Sequence, residues 1–225
     1  MGNVNRKIYL TWQSKEHETR YLVGELIETA SQEYVFCYVP GADLEAAKAL
    51  GFSGYPAFPD LEKKYDQHVL ESFVMRLPSR SREDFQKLLT YWDIQNPTIS
   101  DFDLLSITGA RLKTDRFELI DPHEHLRPNH FLTELAGHFH HDVDGILRGM
   151  PIGAILKLER ELDNKWDRFA VKVLRDDKQI GYIKKIHART VAEELAAGRA
   201  VHANVKNHYI NGVVNSILLK VTFAK

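Results

Sequence analysis

Between Ile155 and Lys185 apolar and polar side chains alternate in short runs. Leu156 and Leu158 alternate with Lys157 and Glu159, and Val171 and Val173 flank Lys172, which is the two-residue period of a strand buried on one face. Asp176-Asp177 turns the chain into a third run at 179–183, where Gly181 predicts a bulge or a close backbone approach. The connection between the first two runs, Glu161-Leu162-Asp163-Asn164-Lys165-Trp166-Asp167-Arg168, sets an aromatic among amide, acid and base side chains. A buried crossing would not carry that mixture, so the connection is where a site is expected.

Earlier in the chain, residues 7–12, 21–27 and 33–39 are β-branched and aromatic runs parted by polar turns, which predicts an antiparallel meander. A short helix is expected over 43–50, stopped by Gly51, and a loop over 54–60 with its two prolines. Ser81 with Asp84 resembles a capping box opening a helix whose apolar face is Phe85, Leu88, Leu89 and Trp92, and another helix should run from Asp101 to before Gly109. Residues 121–128 hold two prolines and no period, which places a domain boundary between 1–122 and 123–225. Strands then follow near Gly137, Ile155, Val171 and Ile180, a helix over 187–197 stopped by Gly198, and strands near Val201 and Ile217, with a turn at Asn211-Gly212. The fold class expected is α+β: a β-meander with helices, then a small OB-like β-barrel with one or two helices.

Composition adjusts this picture. A formal net charge of −1 removes any whole-molecule attraction to polyanions. Up to Ile120 there are 14 basic against 18 acidic residues, net −4, and from Asp121 on 16 against 13, net +3, so an anionic partner belongs with the second half. Cys37, the sole cysteine, excludes an intrachain disulfide and a thiolate zinc cluster, fits a reducing compartment, and sits in a run expected to be a strand. No apolar run approaches the roughly 20 residues of a membrane helix, and no signal peptide is evident, so a cytoplasmic protein without a membrane partner is expected.

Arg160, then Asn164-x-x-Asp167-x-x-Ala170-Val171, then Ile180-Gly181-Tyr182-Ile183 resemble the HIRAN family, with Gly137-x-x-His140 and the Leu147 and Gly149 positions upstream and a helix at 188–198 downstream. The resemblance spans about the last hundred residues and implies an OB-like domain that binds single-stranded DNA 3′ ends. The side chains suit that chemistry. Trp166 and Tyr182 can stack on bases, and Arg160, Lys165, Arg168, Lys184 and Lys185 can meet phosphate. Asp167 would repel phosphate and so should face a hydroxyl donor such as a terminal 3′-OH.

By resemblance, Asn164 and Asp167 match the family's loop, with Asp167 at the hydroxyl-binding position, and Lys185 matches its phosphate-contacting base. Trp166 stands where a Tyr is frequent, His140 where a Tyr is usual, Leu162 in place of a common Pro, and Phe169 in place of a common Asn. Each residue also has a plainer role: Trp166 as a cap on the barrel, Asp167 bonding its own backbone in a turn, Lys184 and Lys185 as a solvated pair, and Arg160 paired with Glu161 or Asp163.

In the first half, Phe73-x-x-Arg76-Leu77-Pro78, a helix, and residues 103–110 resemble the N-terminal subdomain of HipA-type kinases. No Gly-rich phosphate loop or paired metal-binding Asp motif accompanies them, so phosphoryl transfer is not implied and a protein-docking role is. Arg80 and Arg82 beside a helix start are candidate phosphate contacts. His123, His125, His130, His138, His140 and His141 crowd the junction, and His123, His125 and His130 are the candidates for zinc, although their spacing names no complete ligand set. Scattered surface histidines or a pH sensor are the competing readings.

The function expected is a non-enzymatic binder of single-stranded DNA 3′ ends with no cofactor, its first domain docking a protein. The alternatives are a protein-interaction component of a HipA-like toxin system and a histidine-based, metal-dependent nucleic-acid hydrolase.

Overall fold

The computed structural model describes residues 5–15, 19–121, 130–140, 143–211 and 213–224, with backbone alone at 140, 210, 211 and 213–215. The chain forms two compact units, one of residues 1–87 and 96–122, the other of residues 88–95 and 123–225. Both are α+β with antiparallel sheets.

In the first unit, strands β1 (Arg6–Gln13), β2 (Arg20–Glu28), β3 (Tyr34–Tyr38) and β4 (Phe117–Ile120) form a sheet of order β3-β2-β1-β4. The expected meander is there, and β4 closes it from a distant part of the sequence. Helices α1 (Ala42–Ala49), α2 (Val69–Val74) and α4 (Asp101–Thr108) belong to this unit, and α3 (Glu83–Tyr91) starts in it. Ser100 caps α4 by accepting from the Asp103 N–H at 3.1 Å, and Gly109 ends it at φ 70°, a conformation that favours glycine.

Phe73 and Arg76 of the HipA-like motif are both buried, the first within α2 and the second just past its end. Arg76 donates to both Asp115 oxygens at 2.5 and 2.9 Å and to the Ala110 and Phe117 carbonyls at 3.0 and 3.2 Å. Its guanidinium therefore holds this core together, as a buried charge must be fully bonded. Arg80 donates to the Pro97 and Ile99 carbonyls and to Asp101, and Arg82 pairs with Asp84, so both candidate phosphate contacts are engaged locally.

The second unit holds β5 (His130–Glu134), a 3-10 turn (His138–His140), α5 (Asp144–Arg148), β6 (Ile155–Arg160), β7 (Val171–Arg175), β8 (Lys178–Tyr182), α6 (Lys185–Ala196), β9 (Val201–Asn211) and β10 (Val213–Phe223). Sheet order is β5-β10-β9-β6-β7-β8, and Leu156, Leu158, Val171, Val173, Ile180, Val205, Ile217 and Leu219 fill its core with Val191 of α6. The two-residue period read for β6 and β7 is seen in their burial, with Leu156, Leu158, Val171 and Val173 turned into the core. The strand expected near Gly137 lies earlier, at 130–134, because Gly137 turns the chain at φ 68°. Gly212 of the expected turn lies outside the described residues.

The barrel expected here is not a closed ladder among the described residues. Its edges, β5 and β8, meet through one bridge just past β5, where the Ala136 N–H donates to the Tyr182 carbonyl at 2.9 Å and the Tyr182 N–H to the Ala136 carbonyl at 2.8 Å. The turn at Gly137 leaves no chain to extend that seam. Gly181 is required beside it, since a Cβ there would stand 2.5 Å from the Ala136 carbonyl oxygen. The β7–β8 register also slips between Val173 and Leu174, so Gly181 marks both a bulge and a close approach.

Candidate nucleic-acid interface

The loop from β6 to β7 is built on its own hydrogen bonds. The Glu161 N–H donates to the Ala170 carbonyl at 2.9 Å, closing the neck, and the Ala170 N–H donates to the Asp167 carbonyl at 2.9 Å. Inside, Asn164 Oδ1 accepts from the Trp166 and Asp167 amides, each at 2.9 Å, while its Nδ2 donates to Glu161 Oε2 at 2.5 Å. Asn164 thus shapes the loop by the Asx-turn chemistry its residue type favours.

Glu161 is the residue on which the loop turns, although from its position in the chain it is only a surface partner for Arg160. Its side chain is 17% exposed, its Oε1 accepts from Lys172 Nζ at 2.9 Å, and its Oε2 accepts from the Tyr182 hydroxyl at 3.0 Å as well as from Asn164. Burial pushes its pKa up, but the hydrogen bonds from Asn164, Lys172 and Tyr182 outweigh that and hold the carboxyl below its ordinary range. Arg160 therefore has no share in Glu161. Arg160 Nε is buried with no hydrogen-bond partner, an orphan donor at the end of β6.

Asp167 is half-buried, and its Oδ1 accepts from the Phe169 N–H at 2.9 Å, the backbone bond of a turn residue. Among the described residues Oδ2 takes no hydrogen bond. Trp166 is 86% exposed, which overturns its plainer role as a cap on the core: an indole in solvent covers nothing. Leu162 in the same loop is also exposed, as is Phe139 of the 3-10 turn, which packs on β8. Phe139 is an accessible ring that no sequence pattern singles out, and only its exposure reveals it.

The cations divide into two sets. Lys184 Nζ lies 3.3 Å from Glu134 Oε2, both side chains mostly buried, so the solvated-pair reading fails for Lys184 and its charge is already answered. Arg160, Lys165, Arg168 and Lys185 have no carboxylate partner among the described residues. All four belong to the loop, the strand end that leads into it, or the first turn of α6. Tyr182 is held by Glu161 and the Ala136 bridge, with its ring half-buried. His140 ends the 3-10 turn with its side chain outside the described part.

His123 and His125 lie outside the described residues, and His130 opens β5 in an exposed position. Among the described residues no three His, Cys, Asp or Glu side chains are grouped to hold a metal ion. A groove of about 420 Å³ lies at the other end of β6, lined by Ile155, Asp176, Asp177 and His202 among others, and includes no loop residue.

The strand–loop–strand frame, Asn164 and Asp167 in its turn, and the Gly181 seam all fall in the last hundred residues of the chain. Residues 129–221 match the HIRAN domain. The HIRAN domain is a nucleic-acid-binding domain rather than a catalytic one. Among solved structures, the HIRAN domain of human HLTF is 20% identical over 42% of this chain and 74% of its own, with a TM-score of 0.35. A protein from Lactobacillus plantarum is 18% identical over 40% of this chain and 91% of its own, with a TM-score of 0.33. No curated protein matches the chain significantly. The HIRAN match begins at residue 129 and lends nothing to the HipA-like resemblance of residues 1–122. No helix of the described residues is long and apolar enough to cross a membrane.

Proposed function

We propose that the HIRAN segment binds the 3′ end of single-stranded DNA, without catalysis by this chain. Trp166 stacks on the terminal base, Asp167 Oδ2 accepts from the terminal 3′-hydroxyl, and Arg160, Lys165 and Lys185 receive the adjoining phosphate, with Tyr182 and His140 completing the base side. The observation that carries this reading is a carboxylate oxygen without a hydrogen bond, beside an indole in solvent and amid cations that no carboxylate of the described residues answers. An acid set among unanswered cations repels an internal phosphodiester and accepts a hydroxyl, so it selects ends over interiors.

Lys184 leaves the phosphate set because Glu134 already holds it. A protein-docking role for residues 1–122 rests on the HipA-like resemblance alone, and cytoplasmic placement on composition alone. Titrations of oligonucleotides ending in 3′-hydroxyl or 3′-phosphate, with Asp167 intact or replaced, test the reading.

A further inference from the structure

Phe169 carries two guanidiniums. Arg168 Cζ lies 4.7 Å from the centre of its ring and Arg189 Cζ 5.5 Å from it, the first from the loop and the second from α6. The ring is half-buried and packed on the domain core, and its own N–H donates to Asp167 Oδ1 at 2.9 Å. This fixes the stack immediately beside the carboxylate of the end-binding loop. Lys185 stands four positions before Arg189, so it is on the same face of α6.

Stacking on an aromatic orients a guanidinium without using up its in-plane N–H donors, and those donors match phosphate oxygens. The exposed Arg168 guanidinium has no carboxylate partner among the described residues. Arg189 pairs with Glu193 at 2.9 Å, but both side chains are more than half exposed, at 68% and 56%, and a pair so open to water contributes little and exchanges readily for phosphate.

The geometry points to a second subsite: the Arg168–Phe169–Arg189 stack receives the phosphodiesters that follow the terminal nucleotide, so that the protein grips several nucleotides of a single strand. This rests on the end-binding reading for its polarity, with the strand running from Asp167 outward over Phe169 and α6. The terminal loop sets which end is bound. The stack sets how much affinity grows with length.

The test is titration of the full chain with oligothymidylates of two and about eight nucleotides, ending in 3′-hydroxyl or 3′-phosphate, across a series of salt concentrations. For the longer strand, Arg189→Gln should lower the slope of log affinity against log salt by about 0.7, and Arg168→Gln with Arg189→Gln by about 1.4, since each neutralised phosphate of a single strand carries about 0.7 of that slope. Phe169→Leu, which keeps the apolar packing but removes the ring, should lower the slope in the same direction. The dinucleotide should lose little with Arg189→Gln, and its 3′-hydroxyl preference should persist. An unchanged salt slope and length dependence in the Arg189→Gln and double variants would overturn the subsite even with the hydroxyl preference intact. A reduced slope in a protein with no hydroxyl preference would support the subsite and defeat the end-binding reading. Absence of oligonucleotide binding by the wild type would defeat both.

Discussion

The Tyr182 hydroxyl donates to Glu161 Oε2 at 3.0 Å, and that bond ties the last residue of β8 to the first residue of the loop. The same oxygen receives Asn164, and its partner oxygen receives Lys172, so one carboxylate gathers β7, β8 and the loop. Replacing Glu161 with Ala leaves three partly buried donors without their acceptor. Such a change costs about 1–3 kcal/mol, to be read by urea denaturation, with weaker oligonucleotide binding as the loop loosens.

The pH dependence follows from the same residue. Glu161 is held below its ordinary value of 4.5 in the folded chain. Its contribution to stability is therefore complete above that value and is lost as pH falls through the lower folded pKa. Unfolding free energy followed from pH 6 downward should decline less steeply below about 4.5 in Glu161→Gln than in the wild type. Parallel curves would show that the carboxylate is not the titrating group.

Gly181→Ala should destabilise the second unit. The added methyl would lie 2.5 Å from a carbonyl oxygen and 2.9 Å from Leu135, neither of which can retreat without opening the Ala136–Tyr182 seam. A cost of about 1–3 kcal/mol is expected from the overpacking. Hydrogen exchange should show the Ala136 and Tyr182 amides losing protection before the β9–β10 ladder does.

Gly181 was legible in the sequence because a glycine weakens an alternating strand unless a bulge or a close neighbour needs the missing side chain, and β6, β7 and α6 were legible from their periods. Other features were not. Helices α2 and α5 span six and five residues, too few for a helical period to register. The hub at Glu161 was hidden because two of its partners lie 11 and 21 positions on, in strands whose register no local pattern sets. Residues 88–95 count with the second unit although they precede the junction by some thirty positions. The Tyr91 hydroxyl meets Ser216 at 2.7 Å, Asn207 donates to the Tyr91 carbonyl at 3.3 Å, and Lys206 pairs with Asp93 at 2.8 Å, contacts spanning more than a hundred residues. Asp167 and Asn164 were read for their chemistry, and both also serve the backbone of their turn.

Lys184 and Lys185 are neighbours with opposite expectations. Lys185→Ala should reduce the salt slope of single-strand binding by about 0.7 and weaken affinity, because it removes an exposed cation that has no carboxylate partner among the described residues. Lys184→Ala should leave that slope unchanged and lower stability instead, since it takes the cation from the mostly buried Glu134 carboxylate. Equal slopes for the two variants would refute the division of the cations.

Trp166→Ala should cost binding and spare the fold. At 86% exposure the indole supports no core, so the melting temperature should hold while affinity for a single strand falls by about 1–3 kcal/mol, the worth of one stacked base. Quenching of Trp166 fluorescence on titration, judged against the Trp166→Phe variant, checks the contact directly.

The most direct measurement compares wild type with Asp167→Asn on two oligonucleotides that differ only in a 3′-hydroxyl or a 3′-phosphate. Asparagine keeps an oxygen to accept from the Phe169 N–H, so the turn survives while the charge and the second acceptor are removed. Wild type should prefer the 3′-hydroxyl strand, and Asp167→Asn should bind that strand more weakly and the 3′-phosphate strand as well as before or better. Equal affinities of the wild type for both strands, or a parallel loss on both in the variant, would contradict the assignment of Asp167 to the end of a strand.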